Sequence, residues 1–90
     1  MINKHIRCEK YILYFLNYFG ISEEDYTLGS TTNNSICVLD NEEGYLVFDV
    51  LNNQKMEEVF VNNFFDVVRE IYKRTILTKL YKEKILKLVI

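Results

Sequence analysis

The alternation of apolar and polar side chains predicts three short strands in the middle of the chain. The most strand-like run is 44–51, in which β-branched and aromatic residues predominate. Turn-forming residues flank this run at 41–44 and 52–55. Similar runs at 36–40 and 56–61 are joined to it by short links, so we expect an antiparallel meander.

The central strand is predicted to have one face in the core and a second face of mixed character. Leu46, Phe48 and Val50 share the first face, and burying each would contribute about 1.5 to 3 kcal/mol before entropy. The opposite face carries the alternate residues Tyr45, Val47, Asp49 and Leu51. The carboxylate of Asp49 indicates that this second face is fairly apolar but not fully dry.

Helical periodicity before the strands predicts a first helix, with a candidate N-cap at Asn3 and an end at Gly20, where Ile21 can pack back in a Schellman motif. Its buried stripe is formed by Cys8, Ile12, Phe15, Leu16 and Phe19. The additional apolar positions are Tyr11, Leu13, Tyr14 and Tyr18. The tyrosines fit the edges of a core better than a recognition surface, although both interpretations stay open.

A second helix is predicted after the strands, with Asn62 and Asn63 as capping residues and Asp66 in its first turn. It should reach Arg74 or beyond. The tail 77–90 is expected to continue as helix, with a fourth strand at 84–90 as the alternative. In the helical interpretation the inward residues are Leu77, Leu80, Tyr81 and Leu88.

These elements predict a single α+β domain over residues 1–90: a three-stranded antiparallel β-meander flanked by an N-terminal helix and a long C-terminal helix. The connection 21–35 is expected to contain one helical turn after Ser22 and an exposed segment at 31–35. Two helices cover one face of such a sheet. The other face, roughly 280 Å² in projection, is either an apolar binding centre or is covered by the C-terminal tail.

Charge is divided unevenly along the chain, although the formal net charge is only −2. Residues 22–66 carry ten carboxylates against Lys55 alone, whereas 1–21 and 67–90 have net charges of +2 and +5. Local preferences of acids for turns and bases for helix C-termini are one explanation. The other is that the acidic turns present a negative surface to a basic partner.

Catalysis is not expected, because acid, base and nucleophilic side chains do not converge. His5, the single histidine, is close to the N-terminus and is expected to be exposed. Neighbouring glutamates in a strand point to opposite faces, and the three glycines are isolated rather than grouped in a phosphate-binding loop. We therefore expect no enzyme activity and no cofactor.

Cys8 and Cys37 lack the spacing of a redox or metal motif, so both are expected to be small core residues in a reducing compartment. The first ten residues lack the apolar region of a signal peptide, and no apolar stretch approaches the ~20 residues of a membrane span. A pI of 5.4 argues against nucleic acid as a partner. A cytoplasmic protein without membrane or nucleic-acid partners is therefore expected.

The order of segments resembles a small immunity protein family of bacterial polymorphic toxin and contact-dependent growth inhibition systems. The resemblance covers roughly 20–75 and rests on the segments Ser22-Glu-Glu-Asp-Tyr-Thr-Leu, Ser35-Ile-Cys-Val-Leu, Gly44-Tyr-Leu-Val-Phe-Asp-Val and Val59-Phe-Val-Asn-Asn. The chain departs from the family pattern at two places. The family has a tryptophan at the position of Tyr45, and the family has a charged turn at the position of residues 52–55.

The resemblance implies a small cytosolic protein without enzyme activity that blocks a cognate toxin domain, often a basic nuclease. Combined with the acidic turns and the open sheet face, it nominates as partner-binding residues Asp40, Glu42, Glu43, Tyr45, Asp49, Glu57 and Glu58. Tyr45 would be the aromatic anchor. The alternative is a structural or regulatory homodimer that pairs its open sheet faces.

Overall fold

The computed structural model describes residues 6–89, and side chains from 6 to 80. Its elements are helix α1 (Glu9–Tyr18), a 3₁₀ turn (Glu23–Asp25), strands β1 (Tyr26–Leu28), β2 (Ser35–Asn41), β3 (Gly44–Leu51) and β4 (Gln54–Val61), and helix α2 (Phe64–Val89). The predicted roles of Asn3 and His5, and of the Tyr81 and Leu88 side chains, lie outside these ranges. The α+β class predicted from the sequence is confirmed.

The sheet has four strands in the order β1-β2-β3-β4, rather than the three that were predicted. β2, β3 and β4 form the expected antiparallel meander, whereas β1 lies parallel to β2. The prediction missed β1 because three residues are too few to show an alternating pattern. The link 29–34 is also shorter than a usual parallel connection, which the brevity of β1 makes possible.

The two helices cover the sheet face opposite to the one that was expected. Tyr45 and Val47 of β3 and Val38 of β2 are buried beneath α1 and α2. Ile71 of α2 belongs to the same core cluster. We call this sheet face the inner face. The face with Leu46, Phe48 and Val50 is therefore the outer face and forms a separate, smaller cluster with Cys37 and Leu39. The prediction failed because Asp49 was interpreted as a sign of solvent, when its charge partner lies on α2.

Helix α1 begins later than predicted, at Glu9, after Cys8 with a positive φ of 58°. It ends as predicted. Gly20 has φ 74°, a conformation that a residue without Cβ adopts readily. The Gly20 N–H donates to Asn17 O, and the Ile21 N–H donates to Leu16 O, which is the Schellman pattern.

Helix α2 is capped as predicted, since the Asp66 N–H donates to Asn63 Oδ1 at 3.0 Å. It continues to Val89, so the tail through that residue is helix and not a fourth strand. A helix of 26 residues is about 39 Å long, whereas an eight-residue strand spans about 26 Å. The helix is therefore about 13 Å longer than the strands, and Leu77 and Leu80 are exposed instead of inward.

A β-bulge in β4 determines which of its side chains reach the outer face. Glu57 and Glu58 together oppose Phe48, and Glu57 has a positive φ of 54°. Without the extra residue, strict alternation from Met56 would place Phe60 on the inner face. With it, Phe60 lies on the outer face beside Leu46.

Arg74 of α2 holds this bulge in place. It is buried, and its Nη2 donates to Glu57 O at 2.5 Å. Its guanidinium also lies 3.2 Å from carboxylate oxygens of both Glu70 and Asp49. The arginine therefore ties α2 to β3 and β4, and it is a buried ionic group inside the inner face.

Candidate functional site

One half of the outer sheet face is closed by the link 29–34. The Thr32 N–H donates to Cys37 Sγ at 3.3 Å, and Asn33 Oδ1 accepts a hydrogen bond from the Asn53 N–H at 2.8 Å. Lys55 Nζ lies 4.7 Å from the centroid of the Phe48 ring, within cation–π range. These contacts bury Cys37 and Phe48 completely.

The other half of the outer face is open and apolar. Leu39, Leu46 and Phe60 form a row across β2, β3 and β4, because Leu39 is the register partner of Leu46 and Leu46 of Phe60. Phe60 is 46% exposed, and the two leucines are partly buried. We call this row the sheet surface. No described segment of the chain lies between it and solvent at Phe60.

Glutamates border the sheet surface on two sides. Glu42 and Glu43 form the β2–β3 turn at its end, and both are exposed. Glu58 lies on the edge strand β4, two residues before Phe60, and pairs with Lys55 at 2.9 Å. Among the described side chains Glu42 and Glu43 make no ion pair, so their charges are not neutralised locally.

Three predicted binding residues serve the fold instead. Tyr45 is only 3% exposed, and its hydroxyl donates to Arg7 O at 2.8 Å. Burial, with a smaller contribution from Cys8, raises the pKa of Tyr45 to about 12. It is therefore not a surface anchor, and its hydroxyl, which distinguishes it from phenylalanine, is used in an internal hydrogen bond.

Asp40 and Asp49 are both on the helix-covered side of the sheet. Asp40 accepts hydrogen bonds from the Arg7 backbone N–H and from its Nε, each at 3.1 Å. Asp49 lies 3.2 Å from Arg74 Nη1, and its side chain is about one-third exposed. Both carboxylates are paired with arginines from the basic flanks of the chain, which supports the local explanation of the charge division for these two residues.

Glu57 is the remaining nominated residue, and it lies in the bulge of β4. Its exposed side chain makes no ion pair with any described group, while its backbone carbonyl is taken up by Arg74. Glu42, Glu43, Glu57 and Glu58 are therefore the nominated acids that remain available at the surface. The charged bulge also protects β4, an edge strand, from pairing with other strands.

A second exposed surface lies on the helices, where the sequence favoured core edges. α1 and α2 run side by side in the same direction, with Tyr11 near Phe64 and Phe19 near Tyr72. Six rings on these helices are 40% to 72% exposed. They are Tyr11, Tyr14, Tyr18, Phe19, Phe65 and Tyr72. We call them the aromatic helix surface.

This surface was recognisable in principle from the spacing of Tyr11, Tyr14 and Tyr18. Positions i, i+3 and i+7 form one helical stripe, distinct from the buried stripe of Ile12 and Leu16. The sequence prediction joined the two stripes into one wide apolar arc. A ten-residue helix in a two-layer domain has only one layer to pack against, so the second stripe is left in solvent.

The two cysteines of the chain differ in exposure. Cys37 is buried as predicted, and burial raises the pKa of its thiol, whereas Cys8 is exposed, contrary to the prediction. No group of three histidine, cysteine or acidic residues within the described part of the chain is arranged to hold a metal ion. Across residues 6–89, no helix is both long and apolar enough to cross a membrane.

An open groove of about 540 Å³ lies where the ends of β2 and β3 meet the middle of α2. Its lining includes the polar side chains of Asp25, Asn34, Asp49, Thr75 and Lys79. The two carboxylates of this lining are those of Asp25 and Asp49, and Asp49 is paired with Arg74, so the groove does not present two unpaired carboxylates.

Comparisons of the chain with protein-family models, with curated proteins and with solved structures find no match. The geometry of the sheet surface and of the aromatic helix surface is therefore the basis for a functional conclusion.

Proposed function

We propose that this protein is a cytoplasmic immunity protein without enzyme activity, which binds a cognate bacterial toxin domain and blocks it. The observation that carries the proposal is the sheet surface. Leu39, Leu46 and Phe60 form an apolar row that is exposed at Phe60 and partly buried at the two leucines. The neighbouring turn places Glu42 and Glu43 in solvent without a described charge partner.

The charges of this region favour a basic partner. A toxin domain that cleaves nucleic acid binds phosphates and therefore carries lysine and arginine at its active site. Glu42 and Glu43 would accelerate its approach, and Phe60 would be the aromatic contact at the centre that Tyr45 was expected to provide. The resemblance of residues 20–75 to an immunity protein family is the reason for proposing a toxin domain as this basic partner.

A homodimer that pairs two sheet surfaces is a weaker proposal. Such a dimer would bring the Glu42–Glu43 turns or the Glu58 edges of two copies close together. Like charges at an interface oppose association and are a common means of excluding wrong partners. The same carboxylates that favour a basic toxin domain therefore disfavour pairing of this face with itself.

The first experiment is co-expression of this chain with the C-terminal domain of the protein encoded by the adjacent upstream gene, which the proposal requires to be toxic when it is expressed alone. We expect growth to be rescued and native mass spectrometry to detect a stable complex of the two chains. Failure of both rescue and complex formation with that domain would refute the proposal.

The second experiment tests the surface. Replacing Glu42 and Glu43 by lysine should slow association at least tenfold at low salt and weaken its dependence on ionic strength. The matched control replaces Glu23 and Glu24 by lysine, which makes the same change in net charge roughly 20 Å away, beyond the opposite end of β2. Equal effects of the two double variants would show that net charge alone, and not this turn, guides the encounter.

A further inference from the structure

The aromatic helix surface is larger than the apolar patches that ordinary monomers expose. With about 200 Å² for each aromatic side chain, the exposed parts of its six rings amount to roughly 700 Å². The largest patch on a typical monomer is about 300–600 Å², whereas each partner in a stable complex contributes about 800 Å². The area is thus close to that of one side of a stable interface.

The surface combines a recess with projecting rings. An apolar groove of about 380 Å³ lies between α1 and α2 and is lined by Phe15, Phe19, Phe65, Val68, Arg69 and Tyr72. Tyr14 and Tyr18 project beside it and are 64% and 72% exposed. Ring contacts at 5.3 Å between Tyr14 and Phe15, and at 5.2 Å between Tyr18 and Phe19, hold these rings against the helix. In a two-fold interface one surface has to supply both contacting parts, and this surface has both a groove and projecting rings.

The charges around this surface cancel, in contrast to those around the sheet surface. The helical segments 9–18 and 64–73 contain three acidic and three basic residues. Asp66 lies 2.8 Å from Arg69, and Glu70 lies 3.3 Å from Lys73. Two copies can therefore approach through this surface without the repulsion that opposes pairing of the Glu42–Glu43 turns.

From the area, the recess and the charge balance, we infer that a second copy of this chain covers the aromatic helix surface, giving a two-fold symmetric dimer. Each copy places projecting rings such as those of Tyr14 and Tyr18 against the α1–α2 groove of the other. This dimer does not depend on the proposed toxin, and it leaves the sheet surface of each copy free. A complex with a toxin domain would then contain two copies of each chain.

Sedimentation equilibrium of the full chain tests this inference. We expect a mass of twice 10.8 kDa at micromolar concentration. Replacing Tyr14 and Tyr18 by lysine should weaken the dimer at least 100-fold, because each substitution occurs twice in a symmetric interface and places like charges there. Both side chains are largely exposed, so circular dichroism should show that the variant remains folded.

Phe60→Lys is the control for the single variant Tyr18→Lys, since each introduces one lysine at an exposed aromatic residue, on the sheet surface and on the aromatic helix surface respectively. The Phe60→Lys variant should remain dimeric. The inference is wrong if the unmodified chain sediments as a monomer through the high micromolar range, or if Phe60→Lys dissociates the dimer while Tyr18→Lys does not. A monomer that binds vesicles of phosphatidylcholine and phosphatidylglycerol would also overturn it, because the occupant would then be lipid.

Discussion

The buried guanidinium of Arg74 allows the sharpest test of how this fold is held together. Arg74→Met keeps most of the aliphatic stem and removes the charge together with its hydrogen bonds to Glu57 O and Glu70 Oε1. The side chains of Arg74 and Glu70 are only 9% and 13% exposed. The substitution therefore leaves a nearly buried carboxylate without its main partner, which is the expensive way to break an ion pair.

Loss of one member of a buried pair costs about 3–5 kcal/mol. Two features place Arg74→Met near the lower limit. Lys73 remains 3.3 Å from Glu70, and the side chain of Asp49 is about one-third exposed, so water can solvate it after the change. We expect the free energy of unfolding to fall by about 3 kcal/mol, which corresponds to roughly 12–24 °C in melting temperature for a domain of this size.

Urea unfolding followed by far-ultraviolet circular dichroism measures this loss, provided that the m-value is unchanged. The matched control is Arg69→Met, since Arg69 is on the same helix and pairs with Asp66 at 2.8 Å, but its side chain is 76% exposed in the single chain. Both variants are compared in the Tyr14→Lys/Tyr18→Lys background, in which no second copy covers Arg69. Exposed pairs contribute about 0–1 kcal/mol, so this variant should be nearly as stable as the unmodified protein.

A double variant separates the effect of the lost Arg74 hydrogen bonds from the effect of the unpaired, nearly buried Glu70 carboxylate. Replacing Glu70 by glutamine in the Arg74→Met background should restore about 1 kcal/mol or more, because the buried group is then neutral. Equal stability of Arg74→Met and Arg69→Met would refute the argument that burial, and not pairing itself, makes Arg74 important.

Two further substitutions test single contacts in β3. Tyr45→Phe should cost about 1 kcal/mol at pH 7, since it removes the hydrogen bond to Arg7 O. Because the pKa of Tyr45 is about 12 in the folded chain and 10.0 in its ordinary state, the folded chain holds this proton more tightly. The contribution of the Tyr45 hydroxyl to the free energy of unfolding should be fully present below pH 10, and it should be lost as the pH rises to 12. Urea titrations between pH 10 and pH 12 should show that the free energy of unfolding falls less in Tyr45→Phe than in the unmodified protein. Gly44→Ala should cost about 1–3 kcal/mol by thermal melting, because its Cβ would collide with Val61 O; a change below 0.5 kcal/mol would contradict the close approach of these strands.

Several elements of the fold are predictable because local chemistry determines them. Gly20 ends α1 and Asn63 begins α2 through hydrogen bonds between residues close in sequence. The three antiparallel strands follow from alternation and short turns. The 3₁₀ turn after Ser22 forms as predicted, with the Ser22 hydroxyl accepting from the Glu24 N–H. None of these features needs information from distant parts of the chain.

The errors concern contacts between residues that are distant in sequence. Both faces of β3 are apolar, and the choice between them depends on Arg74, 25 residues after Asp49. The bulge at Glu57 accepts a hydrogen bond from the same arginine, and this bulge places Phe60 on the outer face. A pattern of two-residue alternation contains no information about either contact.

The same limitation explains why part of the candidate site was misassigned. Asp40, Tyr45 and Asp49 have the residue types of a binding surface, but each has an internal partner on another element. Glu42, Glu43, Glu57 and Glu58 belong to a turn and a bulge, where no such partner from a helix reaches the described side chains. The acidic residues were therefore predicted from their residue type, whereas the contacts between distant elements determine which of them are available at the surface.

The layer order of the domain makes its two exposed apolar surfaces independent. The helices lie on the inner face of the sheet, so the aromatic helix surface and the sheet surface are on opposite sides of the molecule, separated by the core around Val47 and Ile71. Occupation of one surface by a second copy and of the other by a basic domain is then sterically compatible. The Glu42→Lys/Glu43→Lys variant should accordingly associate more slowly with the partner and remain a dimer. The Tyr14→Lys/Tyr18→Lys variant should associate with the partner at the unmodified rate and be a monomer.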